Sequence, residues 1–248
     1  MSTRLEIVQD FGSAGDIVAF LQRHVNPRMT SEAFEWQFVR IPDRPVLTVT
    51  RDANGICCTQ SFLPHDLHHA GGTLPTVKSE HSFLLPTYRG TPVFTDAYAA
   101  GLAASADAGR RICWGFTPAV KVWRDRLGFE VFDEIMCECV ARIARPRFAF
   151  SPFPKGPMRS IYGLLRRTAV SLRTLFHRPA RSTDLRAQDR PAQVSEIDAL
   201  FAAIAPVETV RLDMNAAFLE WRFTANPNTR FHVRTFRSPN GLAGYYIL

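Results

Sequence analysis

Apolar and polar positions along the first 145 residues fall into short blocks with two distinct periods. Leu5-Glu6-Ile7-Val8 reads as a first strand. Ser13 and Asp16 supply a capping-box pattern for a helix over 15–25, which Asn26-Pro27 stops. A second helix carries Ala33-Phe34-Glu35-Trp36-Gln37-Phe38 and ends before Pro42. Residues 45–64 form two β-rich runs around Asp52-Ala53-Asn54-Gly55, a hairpin signal. His65 to Pro75, rich in His and Gly, reads as a loop, and 76–85 as a strand. A helix of Ala, Leu and Tyr opens around Thr91 to Thr95. Residues 110–116 form another strand, 117–130 a short helix and 129–143 a closing strand. The order β-α-α-β-β-β-α-β-α-β predicts an α/β fold.

Residues 145–190 break this pattern. PRFAFSPFPKGP is Pro-rich, and the run behind it sets Met158, Tyr162, Leu165, Ala169, Leu172 and Phe176 at helical spacing. Arg159, Arg166 and Arg173 recur every seven residues on another face. Lys155 and eight arginines stand against Asp184 and Asp189 between 155 and 190, which accounts for the whole net charge of +7. The basicity is therefore local. A linker helix packed on the domain, contact with an anionic membrane surface and contact with tRNA are the three readings of this segment.

Beyond the linker the pattern starts again. Residues 195–205 repeat the first-helix role with a Ser-x-x-Asp start, and 215–248 lies alongside 31–64. Leu219-Glu220-Trp221-Arg222-Phe223 matches Phe34-Glu35-Trp36-Gln37-Phe38, Pro227 matches Pro42, and Asn240-Gly241 matches Asn54-Gly55 after one insertion. Trp36 and Trp221 are expected to share a packing role. The expected division is 1–145 as a first unit, 146–193 as linker and 194–248 as a partial second unit. The half-sheet of that second unit needs a cover, which a homo-oligomer would provide.

Composition narrows the classes. At 46% apolar and 21% charged residues the chain reads as a soluble globular protein, and no apolar run reaches membrane-spanning length. No apolar signal core follows Met1, and five cysteines, an odd count without framework spacing, fit reduced thiols. A cytoplasmic location is expected. Cys137 and Cys139 share one strand face and read as core thiols, since no second ligand pair follows. His65, Asp66, His68 and His69 admit three readings: a metal site, an acceptor-substrate loop or a solvated loop. No metal is expected, because the sequence gives them no helix or strand to fix a ligand geometry.

One stretch organises the rest. Ser82 to Phe94, SFLLPTYRGTPVF, is an apolar strand, a Pro stop and a loop with Tyr88, Arg89 and Gly90 that delivers the chain into a helix. Unpaired amides at a helix start, the helix dipole and Arg89 together make an anion site.

The succession Pro-x-Tyr-Arg-Gly, helix, strand, Thr-Pro, helix and Leu-Gly-Phe resembles the GNAT N-acyltransferase superfamily, with the specific motifs inside 82–129. The resemblance implies a mixed central sheet flanked by helices, followed by a partial second GNAT-like repeat. It also implies acetyl-CoA as co-substrate. The pantetheine would lie beside Phe83, Leu84 and Leu85, and the pyrophosphate would take amides from Arg89, Gly90, Thr91, Val93, Phe94 and Thr95. The family's Arg-x-x-Gly-x-Gly/Ala pattern is departed from at Pro92 and Phe94. Glu80 and His81, on opposite faces of a regular strand, are the candidate bases. Arg124 stands where many members carry a tyrosine acid, and could steady a thiolate.

The function expected is transfer of an acetyl or related acyl group from acyl-CoA to an amine of a small metabolite or sugar. A GNAT-like partner protein without catalysis is the first alternative. A Fem-like transferase using aminoacyl-tRNA, suggested by the tandem order and the basic linker, is the second.

Overall fold

The structure, a computed structural model, describes residues 2–69, 72–117, 120–130, 186–188, 193–203 and 210–247. Residues 131–143 of the expected strand over 129–143, the Cys137–Cys139 pair and the helix of the basic linker lie outside the described residues. Met1–Phe129 and Leu185–Leu248 form one compact unit.

The first half follows the order β1 (Arg4–Ile7), α1 (Gly15–His24), α2 (Ser31–Phe38), β2 (Val46–Asp52), β3 (Gly55–Pro64), β4 (Leu67–His69), β5 (Gly72–Leu74), β6 (Thr76–Leu84), α3 (Val93–Asp107), β7 (Ile112–Trp114) and α4 (Val120–Leu127). A five-stranded sheet runs β1-β2-β3-β6-β7, antiparallel throughout except for the parallel pair β6–β7. The mixed sheet flanked by helices is the architecture expected. The β2–β3 hairpin turns at Gly55, whose φ of 118° suits only glycine.

Helices cover both faces. Ile17 and Leu21 of α1 and Phe34, Trp36 and Phe38 of α2 pack with Leu47, Val49 and Leu63 on one face. On the other, α3 crosses β3 so closely that a Cβ at Gly101 would lie 2.0 Å from the Phe62 ring. Phe62, Val77, Tyr98 and Trp123 fill that side. Thr30 caps α2, its hydroxyl accepting from the Ala33 amide at 3.1 Å. The capping box expected at Ser13 does not form: Ser13 donates to Asp10 instead, and α1 starts without a side-chain cap.

The second half adds β8 (Arg186–Gln188), α5 (Val194–Ala203), β9 (Arg211–Leu212), α6 (Ala216–Leu219), a π-helical turn over Glu220–Thr224, β10 (Val233–Ser238) and β11 (Gly241–Ile247). β8 falls inside the stretch expected as linker and forms a three-stranded sheet, β11-β10-β8. A third sheet, β5-β4-β9, corrects the loop reading of 65–75. Leu67 pairs with Leu74 on one side and Leu212 on the other, and the Asp213 amide donates to the Asp66 carbonyl at 2.8 Å. The partner strand comes from the far end of the chain, so no local signal marks this hairpin as ordered. Phe218, Leu219 and Trp221 enter the α1–α2 core.

Candidate active site

β6 and β7 pair only from Thr76–Ile112 to Lys78–Trp114. At Gly115 the chains still touch, a Cβ there lying 3.2 Å from the Ser79 carbonyl oxygen, and beyond it they part. Residues 79–84 of β6 therefore have no strand partner on that edge among the described residues. A cavity of about 960 Å³ opens along it. Phe116, Thr117, Trp123 and Arg126 form the opposite wall, and the start of α3 closes one end.

A β-bulge shapes the floor. Between the pairs Thr59–Phe83 and Ser61–Glu80, β3 has only Gln60 where β6 has His81 and Ser82. His81 takes up the extra residue with φ 53°, in the left-handed region. Hydroxyls replace the ladder there: Ser61 donates to the Glu80 carbonyl at 2.8 Å and Thr59 to the His81 carbonyl at 3.0 Å. The buried Gln60 amide donates to Ser79 Oγ at 2.9 Å and its oxygen accepts from Ser82. These bonds hold the bulge.

The bulge corrects the opposite-face expectation for Glu80 and His81. Glu80 accepts from Gln37 at 3.2 Å, while the His81 ring lies 5.7 Å from that of Phe38, so neighbouring β6 side chains both reach α2. His81 Nδ1 is 3.0 Å from Ser61 Oγ.

Charge follows from this packing. Burial alone would raise the Glu80 carboxyl, but the Lys78 ammonium, its hydrogen bond and the imidazoles of His81 and His65 hold it below the ordinary value. Burial lowers His81 against the pull of Glu80, with Lys78 adding to the fall, so its imidazole is neutral at physiological pH. Burial also lowers His65, to about 4. The cavity thus holds a carboxylate ion-paired with Lys78 and the neutral imidazole of His81, while His65 is buried among Trp114, Phe218 and Trp221 and is not among its lining residues.

The far end is the loop before α3. A short 3-10 turn, Pro86–Tyr88, leads to Arg89 and to Gly90 at φ 84°. Tyr88 is anchored by donating its hydroxyl to Asp52, which pushes the phenol up to about 12. Pro92 takes the N-cap position of α3, and no side chain caps the helix. The amides of the first turn, Val93 to Thr95, have no intrahelical acceptors, as at any helix start.

Of the residues singled out in the sequence, Glu80, His81, Phe83, Leu84, Arg89, Gly90, Thr91, Phe94 and Thr95 line this one cavity. Leu85 and Val93 do not; they pack with Cys57, Cys58, Tyr88 and Ala97 beneath it. Arg124 is corrected too. It is exposed and paired with its neighbour Asp125 at 2.8 Å, because the helix turn aims Trp123 and Arg126 at the cavity instead. Lys78 was legible two residues before Glu80 on the same strand face. Gln37 and Ser61, which meet Glu80 and His81, carried no comparable signal, since each contact forms only through tertiary packing; His65, singled out in the sequence, is buried and is not among the residues lining the cavity.

No family model matches the chain, and no curated protein matches it. Among solved structures, a probable N-acyltransferase, a conserved protein of unknown function from Enterococcus faecalis, aligns over 100% of this chain and 55% of its own at 11% identity, with a TM-score of 0.62. The fold is the GNAT acyltransferase fold. At that identity the likeness is one of fold, and this chain spans about half the length of the Enterococcus protein. Glucosamine-6-phosphate N-acetyltransferase from Arabidopsis thaliana aligns at 13% identity over 57% of this chain and 100% of its own, TM-score 0.44. A predicted acetyltransferase from Clostridium acetobutylicum, solved with acetyl-CoA, aligns at 13% over 54% and 94%, TM-score 0.45. Both are similar in outline to little more than half of this chain.

Proposed function

We propose that this GNAT-fold chain is an N-acyltransferase that moves an acetyl or related acyl group from acyl-CoA to an amine of a small metabolite or sugar. The observation that carries the reading is the parting of β6 from β7 beside a bulge, with an uncapped helix start at the end of the same cavity. The volume suits a cofactor-sized ligand, typical sites being about 300–1,000 Å³. The free strand edge can pair with pantetheine amides, and Arg89 with the first-turn amides of α3 can hold a pyrophosphate. The ligand would supply an activated thioester.

The chain's own groups do the rest. Glu80, ionised beside Lys78, attracts the acceptor's ammonium, and neutral His81 offers a lone pair for its proton. Phe116, 80% exposed at the cavity wall, offers an aromatic face to an acceptor.

An internal duplication belongs to the same reading. Its support begins with an offset of 185, which becomes 186 after one insertion before the hairpins: Thr30 and Asn215 cap their helices in the same way, and Trp36 and Trp221 follow at the same distance. The two hairpins also bulge at matched positions, Thr50/Arg51 and Phe236/Arg237, and turn at Gly55 and Gly241 with φ of 118° and 117°.

A second reading, binding without catalysis, draws on Arg124, which stands outside the cavity and leaves the expected acid position empty-handed. Release of the CoA thiol from acetyl-CoA with a panel of amines separates the two. Acyltransfer predicts amine-dependent release that Glu80→Gln lowers by about 100-fold. Binding of acetyl-CoA without release for any amine supports the second reading.

A further inference from the structure

Ser61 and His81 meet at the bulge, Oγ to Nδ1 at 3.0 Å. The other neighbour of Oγ decides which atom donates there. The Glu80 carbonyl oxygen lies 2.8 Å from the same Oγ, and a carbonyl only accepts. Two oxygens hold that distance with a proton between them, so the single hydroxyl proton of Ser61 goes to Glu80. Toward His81 the hydroxyl has only lone pairs to offer. The proton in the 3.0 Å contact therefore belongs to Nδ1.

The surroundings give the hydroxyl no other acceptor. Ser61 is fully buried, and among the described residues its Oγ meets only Glu80 and His81. Gln60 is committed elsewhere: its amide donates to the Ser61 carbonyl and to Ser79 Oγ, both at 2.9 Å, and its oxygen accepts from Ser82.

The second ring nitrogen of His81 stands in a different position. Nε2 has no hydrogen-bond partner among the described residues, yet it is not sealed in without one, as Nδ1 of His65 and Nδ1 of His69 are. His81 is half-buried and lines the cavity together with Lys78 and Glu80. Its φ of 53° is a conformation that a residue with a side chain adopts at a cost, and such strain gathers at functional sites.

We propose that Ser61 is a positioning residue that fixes His81 as the Nδ1–H tautomer, so that Nε2 carries the lone pair that takes the acceptor's proton. The use of Nε2 in catalysis rests on the acyltransferase reading; the tautomer does not. Nδ1 bears hydrogen in both the neutral and the charged ring, so its bond to Ser61 survives each cycle of protonation. In the step itself an N–H bond of the ammonium breaks, its electron pair stays on the amine nitrogen and the proton bonds to Nε2. That proton passes on to solvent, and the second N–H proton lost on acylation neutralises the departing thiolate.

Nitrogen NMR of protein labelled in its histidines tests the tautomer, with His81→Gln identifying the signals. At neutral pH, where burial keeps His81 uncharged, Nδ1 should show a pyrrole-type shift and Nε2 a pyridine-type shift. Ser61→Ala should release the tautomer and lower kcat by about 10- to 100-fold, with the KM for acetyl-CoA unchanged. Ser61→Thr, which keeps the hydroxyl, should restore both. A pyridine-type Nδ1 in the unaltered protein, or a folded Ser61→Ala that leaves tautomer and kcat as they were, overturns the proposal. The expected spectrum without acyl transfer to any amine overturns the acyltransferase reading and leaves the tautomer standing. Melting curves check that the variants fold; if neither does, a nuclear Overhauser contact between the Nδ1–H proton and the Ser61 side chain of the unaltered protein decides, and its absence overturns the pairing.

Discussion

Trp36 and Trp221 exchange hydrogen bonds. Each indole Nε1 donates to the other residue's carbonyl oxygen, at 2.6 and 2.8 Å, and the rings stack 5.1 Å apart at 17°. The exchange ties α2 to the helix end in the C-terminal half, and both side chains are buried. Trp36→Ala and Trp221→Ala should each destabilise the fold by about 3–5 kcal/mol. The double variant should lose less than the sum, with a coupling of about 1–3 kcal/mol in urea unfolding. Additive losses would show that the pair does not act as a unit.

The bulge at His81 depends on Gln60 in the same concrete way. Gln60→Leu removes the donor to Ser79 and the acceptor for Ser82, leaving buried polar groups unmatched at a cost of about 1–3 kcal/mol. Hydrogen exchange over residues 80–82 should quicken by about tenfold or more relative to the β1–β2 pairs. Unchanged protection would mean that the bulge is held by Ser61 and Thr59 alone.

Acid should loosen the structure through His65. Its folded value of about 4 lies below the unfolded 6.5, so the unfolded chain binds the extra proton between those values. Stability is then full above pH 6.5 and falls as pH drops towards 4, by up to about 3 kcal/mol. His81, also lowered, adds in the same direction. Melting curves of the protein and of His65→Gln across that window should converge as the pH falls. Parallel curves would show that His65 does not carry the effect.

Local chemistry made part of this legible. Asn54-Gly55 marked the first hairpin, and Pro86, Gly90 and the alanine-rich run behind them marked the loop into α3, so most of that end of the cavity followed from the sequence. The bulge did not, because it arises only when β3 and β6 pair, and no residue within β6 announces it. Regular alternation therefore put Glu80 and His81 on opposite faces. The fate of 65–75 was hidden for a related reason: β9 and the rings of Phe218 and Trp221, which order it, lie far along the chain. Arg124 shows the limit of positional matching, since a single helical step decides which side chain meets the cavity.

Equilibrium dialysis of labelled acetyl-CoA against the full chain tests the central claim most directly, with Arg89→Ala beside it. The account predicts micromolar binding at one site, weakened about tenfold by the substitution because Arg89 holds the phosphate end. No retention of acetyl-CoA by folded protein, or retention indifferent to Arg89, would contradict it.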